Sequence, residues 1–153
     1  MAACYARVLR GLMAVAGERE RAEDALHEAL VAALEPRALA RIERADAWLY
    51  AVGVRKLRRA AWRRRLEVLL SPRSASYPAP GLERVEALEV LRHLTARQRE
   101  LVVARFYLDL SFKEIAESFG VSVGAATSTV SQALTRIRER LRDGEEGEWT
   151  SAR

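Results

Sequence analysis

The chain has 153 residues, half of them apolar and 31% charged, enough for one ordinary domain or two small ones. A single cysteine, Cys4, excludes an intrachain disulfide and a cysteine-rich metal site, and no apolar run approaches the roughly 20 residues that span a bilayer. The net charge of +5 is uneven, +6 over residues 1–80, +2 over 81–142 and −3 over 143–153, so the basicity that would draw a polyanion belongs to the first half.

Apolar residues recur at helical spacing almost throughout and strand alternation is lacking, which predicts an all-α fold. Tyr5 to Val15 reads as a first helix closed by Gly17, and Glu20 to Leu34 as a second stopped by Pro36. Arg44 to about Leu70 reads as one long helix or two short ones. Residues 71–81, SPRSASYPAPG, hold three of the four prolines and form a linker between two small helical domains, 1–70 and 82–142. The second domain opens with a helix from about Leu82 to His93. Thr95 and Gln98 form a capping box for a helix through Tyr107, and Ser111 and Glu114 repeat the device for a helix through Phe119. Gly120 is placed to end that helix in the left-handed conformation, and Ser122 to cap a last helix running to about Arg142. A short helix, a tight turn and a longer helix make a helix-turn-helix, with Ala116 small enough to let the two helices approach. The acidic tail 143–153 is expected to be disordered. His27 and His93 lack companions at ligand spacing, so neither a metal nor a cofactor is expected. The arginines within the apolar N-terminal stretch do not suit a signal peptide, so the expected location is the cytoplasm.

Residues 54–65 read VRKLRRAAWRRR, with seven fixed positive charges among the last eleven. On a helical wheel Tyr50, Val54, Leu57 and Ala61 form the inward stripe. Arg55, Lys56, Arg59 and Arg63 take the opposite face, with Arg58 and Arg65 on its flank and Trp62 among the cations. Nothing acidic lies between Asp46 and Glu67 to neutralise them. Arginine matches phosphate oxygens bidentately, and an indole offers a stacking platform for an unpaired base. A nucleic acid is therefore the favoured partner. A solvated face is one alternative; a lipid surface is the other, though it would need the apolar stripe that the core uses.

The second helix of a helix-turn-helix usually enters the major groove with its N-terminal residues at base edges. Here those positions are Thr127, Ser128, Ser131 and Gln132, with Thr129 close by, and Gln132 can pair bidentately with adenine. No cation precedes Arg136, so this helix alone would grip DNA weakly. A plain helical packing module is the alternative.

Both halves resemble bacterial sigma factors of the extracytoplasmic-function group, of the sigma-70 family. GERERAEDALHEALVAAL with ADAWLYAVGVRKLRRAAWRRR resembles region 2, and LTARQRELVVARFYLDLSFKEIAESFGVSVGAATSTVSQALTRIRERL resembles region 4. The latter is also similar to LuxR-type domains, but these bring no region-2 partner. The resemblance implies two helical domains, region 2 and region 4, that bind the clamp and flap of core RNA polymerase. It implies clamp docking through Asp24, His27 and Glu28. Gripping and melting of the promoter −10 element would fall to Arg55, Lys56, Arg58, Arg59, Trp62 and Arg63. Reading of the −35 element would fall to Ser122, Thr127, Ser128, Thr129, Ser131, Gln132 and Arg136. A monomer when free, a possible anti-sigma factor, no membrane and no catalytic chemistry are further expectations. The sequence departs from the family where Arg55 stands near a usual asparagine, Arg59 near a usual polar or acidic residue, and Thr127, Thr129 and Gln132 near usual basic residues. The first helix also begins almost at Met1, where relatives usually have further residues. A decoy that binds an anti-sigma factor and a free-standing DNA-binding regulator are the alternative functions.

Overall fold

A computed structural model describes residues 2–36, 42–70 and 86–151. The chain divides into two compact units, Met1–Leu82 and Glu83–Arg153, and is helical without strands among the described residues. The linker expected at 71–81 lies outside them.

The first unit is built from α1 (Ala2–Ala16), α2 (Arg19–Ala33) and α3 (Ala45–Leu70), each packed on the other two. α1 ends at Gly17, whose φ of +74° is costly for any side chain with a Cβ, and whose N–H donates to the Met13 carbonyl. That reversal brings α2 back against α1. Val8, Leu9 and Leu12 of α1 meet Ala22, Ala25, Leu26 and Ala29 of α2, and Leu49, Tyr50, Val52 and Val54 of α3, in an apolar core. The alanine-rich inner face of α2 keeps this three-helix contact close. α1 and α3 approach closely at Gly53, where an added Cβ would lie 2.8 Å from Leu12 Cδ1.

α3 is one continuous helix of 26 residues, about 39 Å long, against about 22 Å for the 15-residue α1 and α2. The inward stripe expected from the wheel therefore runs out. Tyr50 and Val54 are fully buried, Leu57 is half-buried, and Ala61 is exposed rather than packed. The second half of α3 outruns the helices that would cover it.

The second unit comprises α4 (Glu86–Arg92), α5 (Ala96–Val102), a π-helical turn (Val103–Tyr107), α6 (Phe112–Phe119) and α7 (Val123–Ser151). Both capping boxes form. Gln98 N–H donates to Thr95 Oγ1 at 3.3 Å while Thr95 N–H donates to Gln98 Oε1 at 3.2 Å. Ser111 N–H donates to Glu114 Oε2 at 2.7 Å and Glu114 N–H to Ser111 Oγ at 3.2 Å. Gly120 ends α6 in the left-handed conformation (φ +65°), and Ser122 Oγ accepts the Ala125 N–H at the start of α7. The core runs through Leu94, Leu101, Val102, Leu108, Leu110, Ile115, Ala126, Val130 and Ala133. Arg99 closes the end of α4, its guanidinium donating to the carbonyls of Leu91, Arg92 and Leu94.

Two expectations are corrected here. The helix begun at Thr95 does not stay α-helical to Tyr107: from Val103 it widens to π geometry, and Leu108 N–H donates to the Val103 carbonyl five residues back. The tail is not a disordered appendage from residue 143, because α7 continues to Ser151. The acidic, glycine-containing pattern that suggested disorder does not end the helix there.

Candidate nucleic-acid interface

On the first unit, Arg55, Arg58, Arg59, Trp62 and Arg63 are all exposed on α3, with Trp62 64% accessible. An indole so open contributes little to the core of the unit that carries it. Among the described residues no acidic side chain pairs with Arg55, Arg59 or Arg63. Lys56 differs. Its Nζ lies 2.8 Å from Glu28 Oε2, so an acid from α2 does reach this face, contrary to the expectation drawn from the chain between Asp46 and Glu67. Only tertiary structure could reveal that partner.

Asp24, His27 and Glu28 share the exposed side of α2, at the spacing that stacks side chains on one face. Tyr5 Oη lies 3.3 Å from His27 Nε2, which fixes the ring against α1. The same stripe continues one and two turns on through Val31 and Leu34, 67% and 80% accessible. The sequence reading missed these two. Their offsets of seven and ten residues from Asp24 were the available signal, concealed because apolar residues on a helix are first assigned to its core.

On the second unit, Thr127, Ser128, Ser131 and Gln132 are exposed along the start of α7, and Thr129 is half-buried. Thr127 Oγ1 donates to the Val123 carbonyl at 2.9 Å and Thr129 Oγ1 to the Ala125 carbonyl at 2.8 Å. Their hydroxyl protons are thus engaged within the helix, so each oxygen is left as an acceptor only. Ser122 acts as the cap. Arg136 turns back: its Nη1 donates to Gln98 Oε1 at 3.0 Å, which ties α7 to the capping box of α5. Gly124 stands in the open, with nothing within 4 Å of where a Cβ would be.

The turn before α6 is firmly built. Arg105 donates to the Leu110 carbonyl and lies over the rings of Phe106 and Phe112, while Asp109 holds a positive φ of 56°. Arg97 lies 5.4 Å over the Phe119 ring and beside the buried Glu100 carboxylate, joining α5 to the end of α6. Burial lowers the pKa of Arg97, and that of Arg99, where nearby Arg92 adds to the effect. Burial pushes the Tyr50 phenol well above its ordinary value, with Arg58 opposing. Among the described residues no three His, Cys, Asp or Glu side chains are grouped to hold a metal, and no helix is long and apolar enough to cross a membrane.

Residues 84–137 match the family model of sigma-70, region 4. Over 59 residues the chain is 39% identical to the RNA polymerase sigma-E factor of Streptomyces coelicolor and 37% identical to that of Streptomyces avermitilis. Each alignment covers 39% of this chain and 33% of the relative, so the chain matches about a third of the length of these curated proteins. The fold is that of a solved sigma factor, RpoE from Bartonella quintana, co-crystallised with the anti-sigma factor NepR. The TM-score is 0.76 at 22% identity, covering 92% of this chain and 93% of that one. The helix-turn-helix of the second unit thus lies within the stretch that matches sigma-70, region 4, and the two-unit helical fold is shared with a solved sigma factor.

Proposed function

We propose that this chain is an alternative sigma factor of the extracytoplasmic-function kind, a cytoplasmic initiation factor that directs core RNA polymerase to promoters and helps open them. The observation that carries the opening role is Trp62, solvent-facing among Arg55, Arg59 and Arg63 on the overhanging half of α3. The cations suit the phosphates of a −10 element, and the indole suits a base leaving the duplex. Arg58 and Lys56 extend the same face. The exposed stripe Asp24, His27, Glu28, Val31 and Leu34 on α2 is suited to docking on the polymerase clamp, its apolar end giving buried area and its acidic end register.

α7 would lie in the major groove of a −35 element, with Ser128, Ser131 and Gln132 at base edges, Thr127 and Thr129 offering methyl groups, and Ser122 ordering the first turn. Arg136 then acts by fixing the angle of α7 through Gln98. The second unit would also hold the polymerase flap. The polymerase supplies all the chemistry, so the chain needs neither catalytic residue nor cofactor. Free in solution it would be a monomer.

Run-off transcription with purified core polymerase and a genomic fragment library tests this directly. Discrete start sites sharing a two-part upstream motif are expected. Stable binding to core without transcripts would overturn the reading and favour a decoy that sequesters an anti-sigma factor. One observation favours that second reading: no cation precedes Arg136 on α7, and Arg136 is held by Gln98.

A further inference from the structure

We infer that the Glu28–Lys56 ion pair couples polymerase docking to DNA binding, withholding Lys56 from phosphate until another cation takes Glu28. The inference rests on the function proposed above for the faces of α2 and α3. It starts from a geometric fact: the 2.8 Å contact joins one residue of the candidate docking stripe to one residue of the basic face. Glu28 sits one turn beyond Asp24 and three residues before Val31 on the open side of α2. Lys56 sits one turn before Arg59 and two turns before Arg63 on α3.

Both ends of the pair remain reachable. The Glu28 side chain is 54% accessible and that of Lys56 35%, so a cation on a docking partner can approach the carboxylate without opening the core. A carboxylate engaged by that cation attracts Lys56 less, and the ammonium is released beside Arg55 and Arg59. Linkage makes the effect reciprocal: whatever factor docking adds to DNA affinity, DNA adds to docking. Exposed ion pairs are weak, which bounds that factor at about five-fold. Release of one further cation to a single strand also steepens the salt dependence of binding by about 0.7 in log–log slope.

The test uses the full chain, a fluorescently labelled single-stranded oligonucleotide and a salt series. Glu28→Gln is expected to bind about two- to five-fold more tightly than the parent, with the steeper slope. The same substitution in a Lys56→Gln background is expected to do nothing. Conversely, Lys56→Gln alone is expected to bind purified core polymerase up to about five-fold more tightly. Both side chains are surface groups, and thermal melts check that each variant folds. An equal gain from Glu28→Gln with or without Lys56 would show a general loss of negative field and overturn the coupling. Unchanged affinity for the oligonucleotide in Glu28→Gln, or for core in Lys56→Gln, would overturn it too. Failure of the parent chain to bind any oligonucleotide would instead strike the proposed function itself.

Discussion

Replacing Gly53 by alanine puts a methyl group where α1 and α3 touch. The added Cβ would lie 2.8 Å from Leu12 Cδ1, 2.9 Å from Cδ2 and 3.4 Å from Cγ, against an ordinary carbon contact of about 3.5–4.0 Å. Leu12 is fully buried, so its methyl groups cannot swing into solvent. Overpacking of this kind costs about 1–3 kcal/mol, and alanine in a helix interior returns about 1 kcal/mol over glycine. The net expectation is a loss of about 0–2 kcal/mol. Leu12→Ala removes the clashing atoms and itself costs about 2–5 kcal/mol. In that background Gly53→Ala should stabilise, by about 1 kcal/mol from propensity alone. The sign of one substitution thus depends on the other, a coupling of about 1–3 kcal/mol. Urea unfolding followed by tryptophan fluorescence measures it, with Trp149→Phe confining the signal to Trp48 and Trp62 of the first unit. A Gly53→Ala chain clearly more stable than its parent while Leu12 is present would refute the steric reasoning.

Trp62→Ala should leave stability unchanged, since the ring is mostly in solvent, yet reduce promoter opening by about 1–3 kcal/mol of lost base stacking. Permanganate reactivity of unpaired thymines reports it, and undiminished opening would remove Trp62 from the proposed site. Gly124→Ala should raise the melting temperature, because nothing crowds the new methyl and helix propensity gains less than about 1 kcal/mol in this first turn of α7. If the glycine gives DNA room to approach, affinity for promoter duplex falls in the same variant; unchanged affinity would rule that clearance out. Tyr50 predicts an alkaline limit. Above pH ~10 the unfolded chain loses the phenolic proton that the folded chain keeps, so stability is intact below that pH and falls as pH rises past it. Denaturation as a function of pH should show a shallower alkaline decline for Tyr50→Phe; identical slopes would mean the phenol does not titrate on unfolding.

The parts of this fold that could be read from the chain are those fixed within a few residues. The two capping boxes, the left-handed Gly17 and Gly120, and the serine cap at 122 are local devices, and each formed as spaced. What could not be read depends on distance. Glu28 meets Lys56 across two helices, and Arg136 meets Gln98 across 38 positions. A helical wheel placed Tyr50 and Val54 inside correctly but also Ala61, because it carries no information on how far neighbouring helices extend. The α2 stripe was half legible. Its charged members stood out, while Val31 and Leu34 were indistinguishable from core residues until their exposure was known.

The π-helical turn at Val103–Tyr107 makes chain length itself a structural variable. Such a turn holds one residue more than an α-helix would place in the same rise, so deleting one residue there would restore ordinary pitch without shortening the element much. Residues after it would then keep their angular position about the axis of α5, because the widened turn spends one more residue on the same rotation and rise. α6 and α7 would leave in the same direction, and the packing of Leu108, Leu110 and Ile115 that sets their course would be kept. In this stretch a gap of one residue is a change of local width, and sequences that differ only there can be expected to aim the same recognition helix alike.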